Sequence, residues 1–335
     1  MANLALFPFT YKSDTALSGD GWEVTGGQAV NTLAGNDVVT GTTTTTGGLY
    51  GISISDSSTL DTSKGNDVVT GTAVEATSNG IGIAVGSTLN TGAGNDVVTG
   101  TAGSFGIENF GTINTGAGYD NITGSSGGGG IYNFGTINSG TGNDTITGRS
   151  SGSSITVSGG SFGIENLGAI DTGAGNDAIT GNSGGVENSN IGIYSQGTIN
   201  TGAGNDAITG SVGGDGIFNI GIFNNGTINT GAGNDTVDAL QGGFGGTGTI
   251  NLGAGKDTLK GFGTGTFNGG DGTDRILFGE GVYEITGSTI TSSTINGIMN
   301  VTSFENIGGA SGGLFSFTDG TLAVDNSGNA TFVVS

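Results

Sequence analysis

Cysteine and histidine are both absent from the 335 residues, and proline occurs once, at Pro8. Without cysteine there is no disulfide framework and no thiolate metal site. Without either residue, nucleophile–base pairs built on them are excluded and softer metals are disfavoured. Basic residues are scarce: 6 Lys and Arg stand against 28 Asp and Glu, for a formal net charge of −22. Phosphate binding needs cationic side chains, so nucleic acid is not an expected partner. Apolar runs are only a few residues long, far short of the roughly 20 that a spanning helix needs, so no transmembrane segment is expected. The start, MANLALFPFTYKSD, has no basic region followed by a long apolar core and does not read as a cleaved secretory signal.

Glycine, by contrast, is abundant, at 76 residues. Such a density without a period would suggest disorder. Here a Gly-x-Gly-x-Asp turn recurs, most often as GAGND, and its final aspartates are Asp37, Asp67, Asp96, Asp120, Asp144, Asp177, Asp206, Asp235, Asp257 and Asp274. They are spaced 30, 29, 24, 24, 33, 29, 29, 22 and 17 residues apart. Self-similarity at about 20–50 residues marks a repeat architecture, and a solenoid of this length can be one unit.

The best-formed unit reads GI-x-N-x-GTIN-TGAGND-x-I-TG, at 106–124 and 130–148. Ile113 and Ile122 flank the turn between polar Thr112, Asn114, Asn121 and Thr123, the alternation of a half-buried strand. Ile137/Ile146, Ile170/Ile179, Ile199/Ile208 and Ile228/Val237 repeat the pair. The segments are too short, β-branched and glycine-rich for helices. The expected fold is all-β: a right-handed parallel β-solenoid of about ten rungs with β caps at both ends, roughly 45–50 Å long. Residues 1–30 are expected to cap the first rung, with a strand suggested by the Phe7/Phe9/Tyr11 alternation; 31–274 carry the repeats; 275–335 read as a small β cap. The linking segments vary from 101–104 to 149–161, the latter with the apolar Ile155-Thr156-Val157, and all follow the same Thr-Gly step. They should project from one side of the stack.

The turns carry the chemistry. Two glycines can adopt φ > 0 and turn carbonyls inward, and a carboxylate follows. Calcium takes about 6–8 oxygen ligands at roughly 2.3–2.6 Å, more than one turn supplies but within reach of two stacked turns. The candidate ligands are therefore the ten aspartates with the turn glycines Gly92, Gly94, Gly116, Gly118, Gly140, Gly142, Gly173, Gly175, Gly202, Gly204, Gly231, Gly233, Gly253, Gly255, Gly270 and Gly272. Ten turns leave up to about nine Ca²⁺ positions. Aspartates stacked a strand spacing apart repel by ~3.5 kcal/mol per pair at an effective dielectric near 20. Nine calcium ions would bring the formal charge from −22 to about −4. Magnesium, which demands octahedral geometry and sheds water reluctantly, fits less well.

The repeat resembles the nonapeptide of the RTX calcium-binding family, GGxGxDx followed by an apolar residue. The stretch Gly269-Gly270-Asp271-Gly272-Thr273-Asp274-Arg275-Ile276 matches it fully, and Thr91-Gly92-Ala93-Gly94-Asn95-Asp96-Val97-Val98 shows the commoner form here. The resemblance covers about 240 residues. It implies calcium in the turns and export by a type I machine that reads an uncleaved C-terminal signal, hence an extracellular or cell-surface location. Phe332-Val333-Val334 has the character of such a signal and equally of a final cap strand. Family coils run about 18 residues with calcium on both sides; here one calcium-type turn falls in each longer coil, so ions are expected along one edge. The first two turns, Leu33-Ala34-Gly35 and Ser63-Lys64-Gly65, lack one glycine, so Asp37 and Asp67 should bind more weakly. Tyr119 and Lys256, standing where other turns have Asn, should be tolerated.

Other columns recur. Thr40, Thr70, Thr99, Thr123, Thr147, Thr180 and Thr209 precede a glycine, and Asn31, Asp61, Asn90, Asn114, Asn138, Asp171, Asn200, Asn229 and Asn251 precede the turn. Stacked hydroxyls and amides hold register between rungs; a flat Thr/Asn array could also bind ice. RTX-type ice binders carry Thr in the turn, where this chain has mostly Ala and only Thr141 fits. Glu108 and Glu165 occupy equivalent positions and read as surface pattern. The chain is not expected to be an enzyme. Three functional classes remain: a secreted structural subunit that self-assembles, as a homo-oligomer or polymer joined through its ends, into a filament, sheath or surface layer; an adhesin or carbohydrate-binding module using the variable loops; and an ice-binding protein.

Overall fold

The computed structural model describes residues 1–44, 47, 49–152, 160–185, 189–214 and 218–335. Each regular coil contributes three strands, as in Phe105–Asn109, Thr112–Asn114 and Asn121–Ser126. Their equivalents stack into three sheets, of 10, 15 and 13 strands respectively among the described residues. These are called the first, second and third sheets below. Successive coils pair in parallel and in register, Ile107 over Ile131, Ile113 over Ile137 and Ile122 over Ile146. The chain is thus a parallel β-solenoid.

Three apolar columns, one per sheet, meet along the axis. Ile107, Ile113 and Ile122 and their neighbours in adjacent coils are fully buried. The second and third columns follow from the alternation around the turn. The first column is masked in sequence because Gly106 and Ile107 are both buried, which breaks the period of two. Gly106 belongs to a pinch between sheets. The Thr-Gly glycines of the third sheet (Gly100, Gly124, Gly148) face Gly106, Gly130 and Gly163 of the first, and a β-carbon on any of the three would lie 1.9–2.1 Å from the opposing carbonyl oxygen. The two backbones touch there, so the cross-section narrows to main chain alone. At the corner between first and second sheets, buried amides stack: Asn109 Nδ2 donates to Asn133 Oδ1, and Asn133 Nδ2 to Asn166 Oδ1, each at 2.8 Å.

The N-terminal cap expected over 1–30 contains a coil of its own. Thr15–Ser18, Trp22–Val24 and Ala29–Asn31 pair in parallel with Val38–Thr43, Tyr50–Ile54 and Thr59–Asp61, so a complete coil precedes the first turn. The strand Ala29–Asn31 runs across the boundary drawn at residue 30. A 3₁₀ turn, Leu4–Leu6, seats Leu4 in the end of the core. The expected strand at Phe7/Phe9/Tyr11 is not formed. Pro8 has no N–H to give to a ladder, the Phe9 N–H folds back to the Phe7 carbonyl, and Phe7 and Phe9 pack on the core while Tyr11 is exposed.

The C-terminal β cap is present. Arg275–Phe278 and Gly265–Gly272 each take one more parallel partner, Asn306–Gly309 and Ile298–Thr302. Antiparallel pairs then end the stack, Gly281–Thr286 with Gly320–Val324 and Gly320–Val324 with Ala330–Val334. The linking segments join the third sheet of one coil to the first sheet of the next, on one side as expected. The run Ile155-Thr156-Val157 lies outside the described residues.

The glycine pinch generates a test. Gly124→Ala should destabilise the chain by about 3 kcal/mol or more, because backbone rather than a flexible side chain must move. Ala117→Ser, at an exposed turn position, should stay within about 0.5 kcal/mol of wild type. Urea midpoints measure both, and equal midpoints would contradict the packing described.

Candidate functional site: the buried aspartate column

The turn lies between the second and third sheets, and its conformation explains its composition. The first glycines, from Gly92 to Gly270, have φ between 84° and 108°; the second, from Gly35 to Gly272, between 132° and 158°. The second position tolerates nothing larger. A β-carbon on Gly94, Gly118 or Gly142 would sit 1.5 Å from the carbonyl oxygen of the preceding coil's glycine. Leu33 and Ser63 occupy the first position in the two exceptional turns with φ of 69° and 70°, a region side chains rarely adopt.

The ten aspartates form one column that points inward, each 0–2% exposed. In each, the main-chain N–H donates to Oδ1 of the next coil's aspartate. Asp37 donates to Asp67 at 2.7 Å, Asp96 to Asp120 at 2.8 Å and Asp120 to Asp144 at 2.9 Å, and the series runs on to Asp257 and Asp274 at 2.8 Å. Asp14 N–H begins it on Asp37 Oδ1, and Asp274 N–H ends it on Glu305 Oε2 at 2.6 Å. Outside the turn a second ladder runs the opposite way, Asn95 N–H to Asn66 Oδ1 and Asn205 N–H to Asn176 Oδ1. Tyr119 and Lys256 still donate to Asn95 and Asn234 but offer no amide oxygen to the coil that follows. A buried hydroxyl column completes the turn: Thr62, Thr91 and Thr115 each donate to the carbonyl of the equivalent residue one coil on.

These ladders use only half of each carboxylate. Oδ2 has no hydrogen-bond partner in Asp67, Asp96, Asp120, Asp144, Asp177, Asp206, Asp235, Asp257 and Asp274. Asp37 alone is different: its Oδ2 accepts the Thr32 hydroxyl. In later coils the equivalent hydroxyl donates to a main-chain carbonyl instead. Asp67, which shares the altered turn, matches the later coils in this respect. Burial dominates the titration of the column. It lifts Asp67, Asp206 and Asp257 to about 6 and Asp120 to about 7, against the opposing pull of the N–H donor. Asp96, Asp144, Asp177, Asp235 and Asp274 are raised for the same reason.

Every predicted site residue from Asp37 to Asp274 therefore lies in this column or its turns. One expectation needs correction. The first-glycine carbonyls do not all point inward unengaged: Gly92, Gly116 and Gly140 accept N–H bonds from Ala117, Thr141 and Ala174 of the next coil. Glu305 and the buried Thr/Ser column were not anticipated. The hydroxyl column was visible as Thr or Ser five residues before most of the aspartates, whereas Glu305 belongs to no repeat. The outer Asn31 column forms amide bridges, as in Asn114 Nδ2 to Asn90 Oδ1 at 2.8 Å, which holds register. Among the described residues no three acidic side chains converge on a metal position, so an ion in the column would meet at most two carboxylates and would complete its shell with main-chain oxygens and water.

No protein-family model, curated protein or solved structure matches the chain. Among the described residues no helix is long and apolar enough to cross a membrane.

The raised carboxyl pKa values set a pH dependence for the cation-free protein. Between about pH 4 and 7 the folded state holds more protons than the unfolded chain, whose aspartates titrate near 3.8. Stability must fall as pH rises through that window and level off above it. In EDTA, the urea midpoint should drop steadily from pH 4.5 to 7.5; a midpoint that climbs over this range would refute the assignment.

Proposed function

We propose that the chain is a calcium-stabilised structural rod of the extracellular space, which assembles end to end into a filament, sheath or surface layer. The observation that carries the cation is the set of nine orphaned Oδ2 atoms, one in every aspartate from Asp67 to Asp274. A buried carboxylate oxygen without a partner is costly and calls for a proton or a cation. The donor set is all oxygen, which suits a hard ion of flexible coordination. Successive aspartates such as Asp120 and Asp144, with main-chain oxygens of the second turn glycines Gly118 and Gly142 and water, would hold it. Asp37, whose Oδ2 is already bonded, would contribute least.

Assembly is supported by the ends. The sheets finish in strands without a further neighbour, Thr15–Ser18 and Ala29–Asn31 at one end, Ala330–Val334 and Leu314–Ser316 at the other. Leu6, Tyr11 and Leu17 are exposed at the first end, and Leu314, Val333 and Val334 at the second. Unpaired strand edges with apolar side chains are templates for pairing, and unlike ends joined head to tail build an open fibre.

At pH 7.5 the urea midpoint followed by circular dichroism should be far higher in millimolar calcium than in EDTA, and calorimetry should saturate at several ions, up to about nine. A chelator-insensitive midpoint sinks the calcium reading. Asp144→Asn keeps an acceptor for the Asp120 N–H while removing one buried charge. It should raise the urea midpoint in EDTA at pH 7.5 and reduce the gain from added calcium. Light scattering should show particles that grow in calcium, and a strict monomer there counts against assembly.

A further inference from the structure

The outer face of the first sheet carries a cleft of about 250 Å³ near the N-terminal end, away from the aspartate column. Its walls are the rings of Tyr50 and Phe110 with the apolar Ile54, Ile83 and Ala84, and its only charged lining group is Glu108. Tyr50 lies across Gly82: a β-carbon there would stand 2.3 Å from the ring. The Tyr50 hydroxyl and Asn79 Nδ2 both donate to Glu108 Oε2, at 3.1 and 2.8 Å. The two donors fix the carboxylate through one oxygen, and Oε1 has no hydrogen-bond partner among the described residues. No Lys or Arg lines the cleft, and the ion pair found among the described residues is elsewhere, Lys260 with Asp238. Phe110 is exposed and is backed by Tyr132 and Phe134, with ring centroids 5.8 and 5.5 Å away.

We infer that this cleft binds a small methylated ammonium compound, held by the faces of Tyr50 and Phe110 and by the carboxylate of Glu108. Aromatic walls attract a cation through the ring quadrupole, and methylated ammonium is the form of positive charge that is cheaply stripped of water. A held, uncompensated carboxylate supplies the complementary charge. Burial also raises the Glu108 pKa, which a bound cation would reverse. A sugar of similar size is less well served. Besides the carboxylate and tyrosine, only Ser53 and Ser55 offer side-chain hydrogen bonds, too few for a ring of hydroxyls that each need a partner.

The test is isothermal titration of the whole chain, in buffer with fixed calcium and matched ionic strength, with choline chloride and tetramethylammonium chloride. Sodium chloride and maltotriose are the controls. Saturable binding of both ammonium compounds and neither control is expected. Glu108→Gln, which keeps the shape and an acceptor for Tyr50 and Asn79, should weaken binding about tenfold or more, and Phe110→Ala severalfold. Circular dichroism should show both variants folded as wild type. No saturable binding of choline, equal binding by Glu108→Gln, or binding of maltotriose in its place would overturn the inference. Calcium is constant throughout, so failure here is distinguishable from failure of the calcium reading.

Discussion

Everything in this solenoid hangs on a bond from a main-chain N–H to the carboxylate of the next coil. It occurs between all ten turn aspartates, at 2.7–2.9 Å. A charged acceptor makes such bonds stronger than ordinary amide ones, and burial shields them from water. The same burial sets the difficulty. Each carboxylate from Asp67 to Asp274 is fixed by one oxygen and left with the other unpaired, in a column where like charges repel. The turn is thus both where coils are tied to one another and where a buried acceptor is left unmet. Burial raises the carboxyl pKa values along the column for the same reason.

The β-solenoid was legible because its signals are periodic. Gly-x-Gly-x-Asp marked the corners between second and third sheets from Asp96 to Asp274, and isoleucine pairs nine residues apart, such as Ile113/Ile122, marked the strands beside it. The first sheet was less legible. Its inward residues come as a glycine followed by isoleucine, and the glycine faces inward only because the opposing sheet is also glycine there. That pairing depends on two segments meeting in space, which no local pattern records. The N-terminal misreading has the same root. Alternation at Phe7, Phe9 and Tyr11 looks like a strand, but Pro8 withholds the donor a strand needs, and the aromatics serve instead as a plug beside Trp22.

At the site the positions were legible and the bonding was not. The sequence pattern located all ten aspartates and their glycines. It could not show that each carboxylate already serves as an acceptor along the stack, that first-glycine carbonyls such as Gly92 are engaged, or that Glu305 supplies the last acceptor. Those facts follow from register, one coil exactly over the next, which spacings of 17–33 residues do not reveal. The first two turns differ from each other in one bond. Both strain a non-glycine residue, at Leu33 and Ser63, but only Asp37 has its free oxygen occupied by a hydroxyl.

The aspartate ladder also has a direction. Every coil presents an N–H that waits for the coil after it, never the one before, from Asp14 through Asp274. A partial stack therefore always ends in one buried, unanswered donor on its C-terminal face, while its N-terminal face asks only for an N–H to give. The ladder is polar: each coil satisfies the donor of its predecessor and presents one donor of its own. Glu305, at the corner between the parallel strands Ile298–Thr302 and Asn306–Gly309, answers the last donor, and its own N–H turns back to the Asp274 carbonyl. The ladder of buried acceptors ends there.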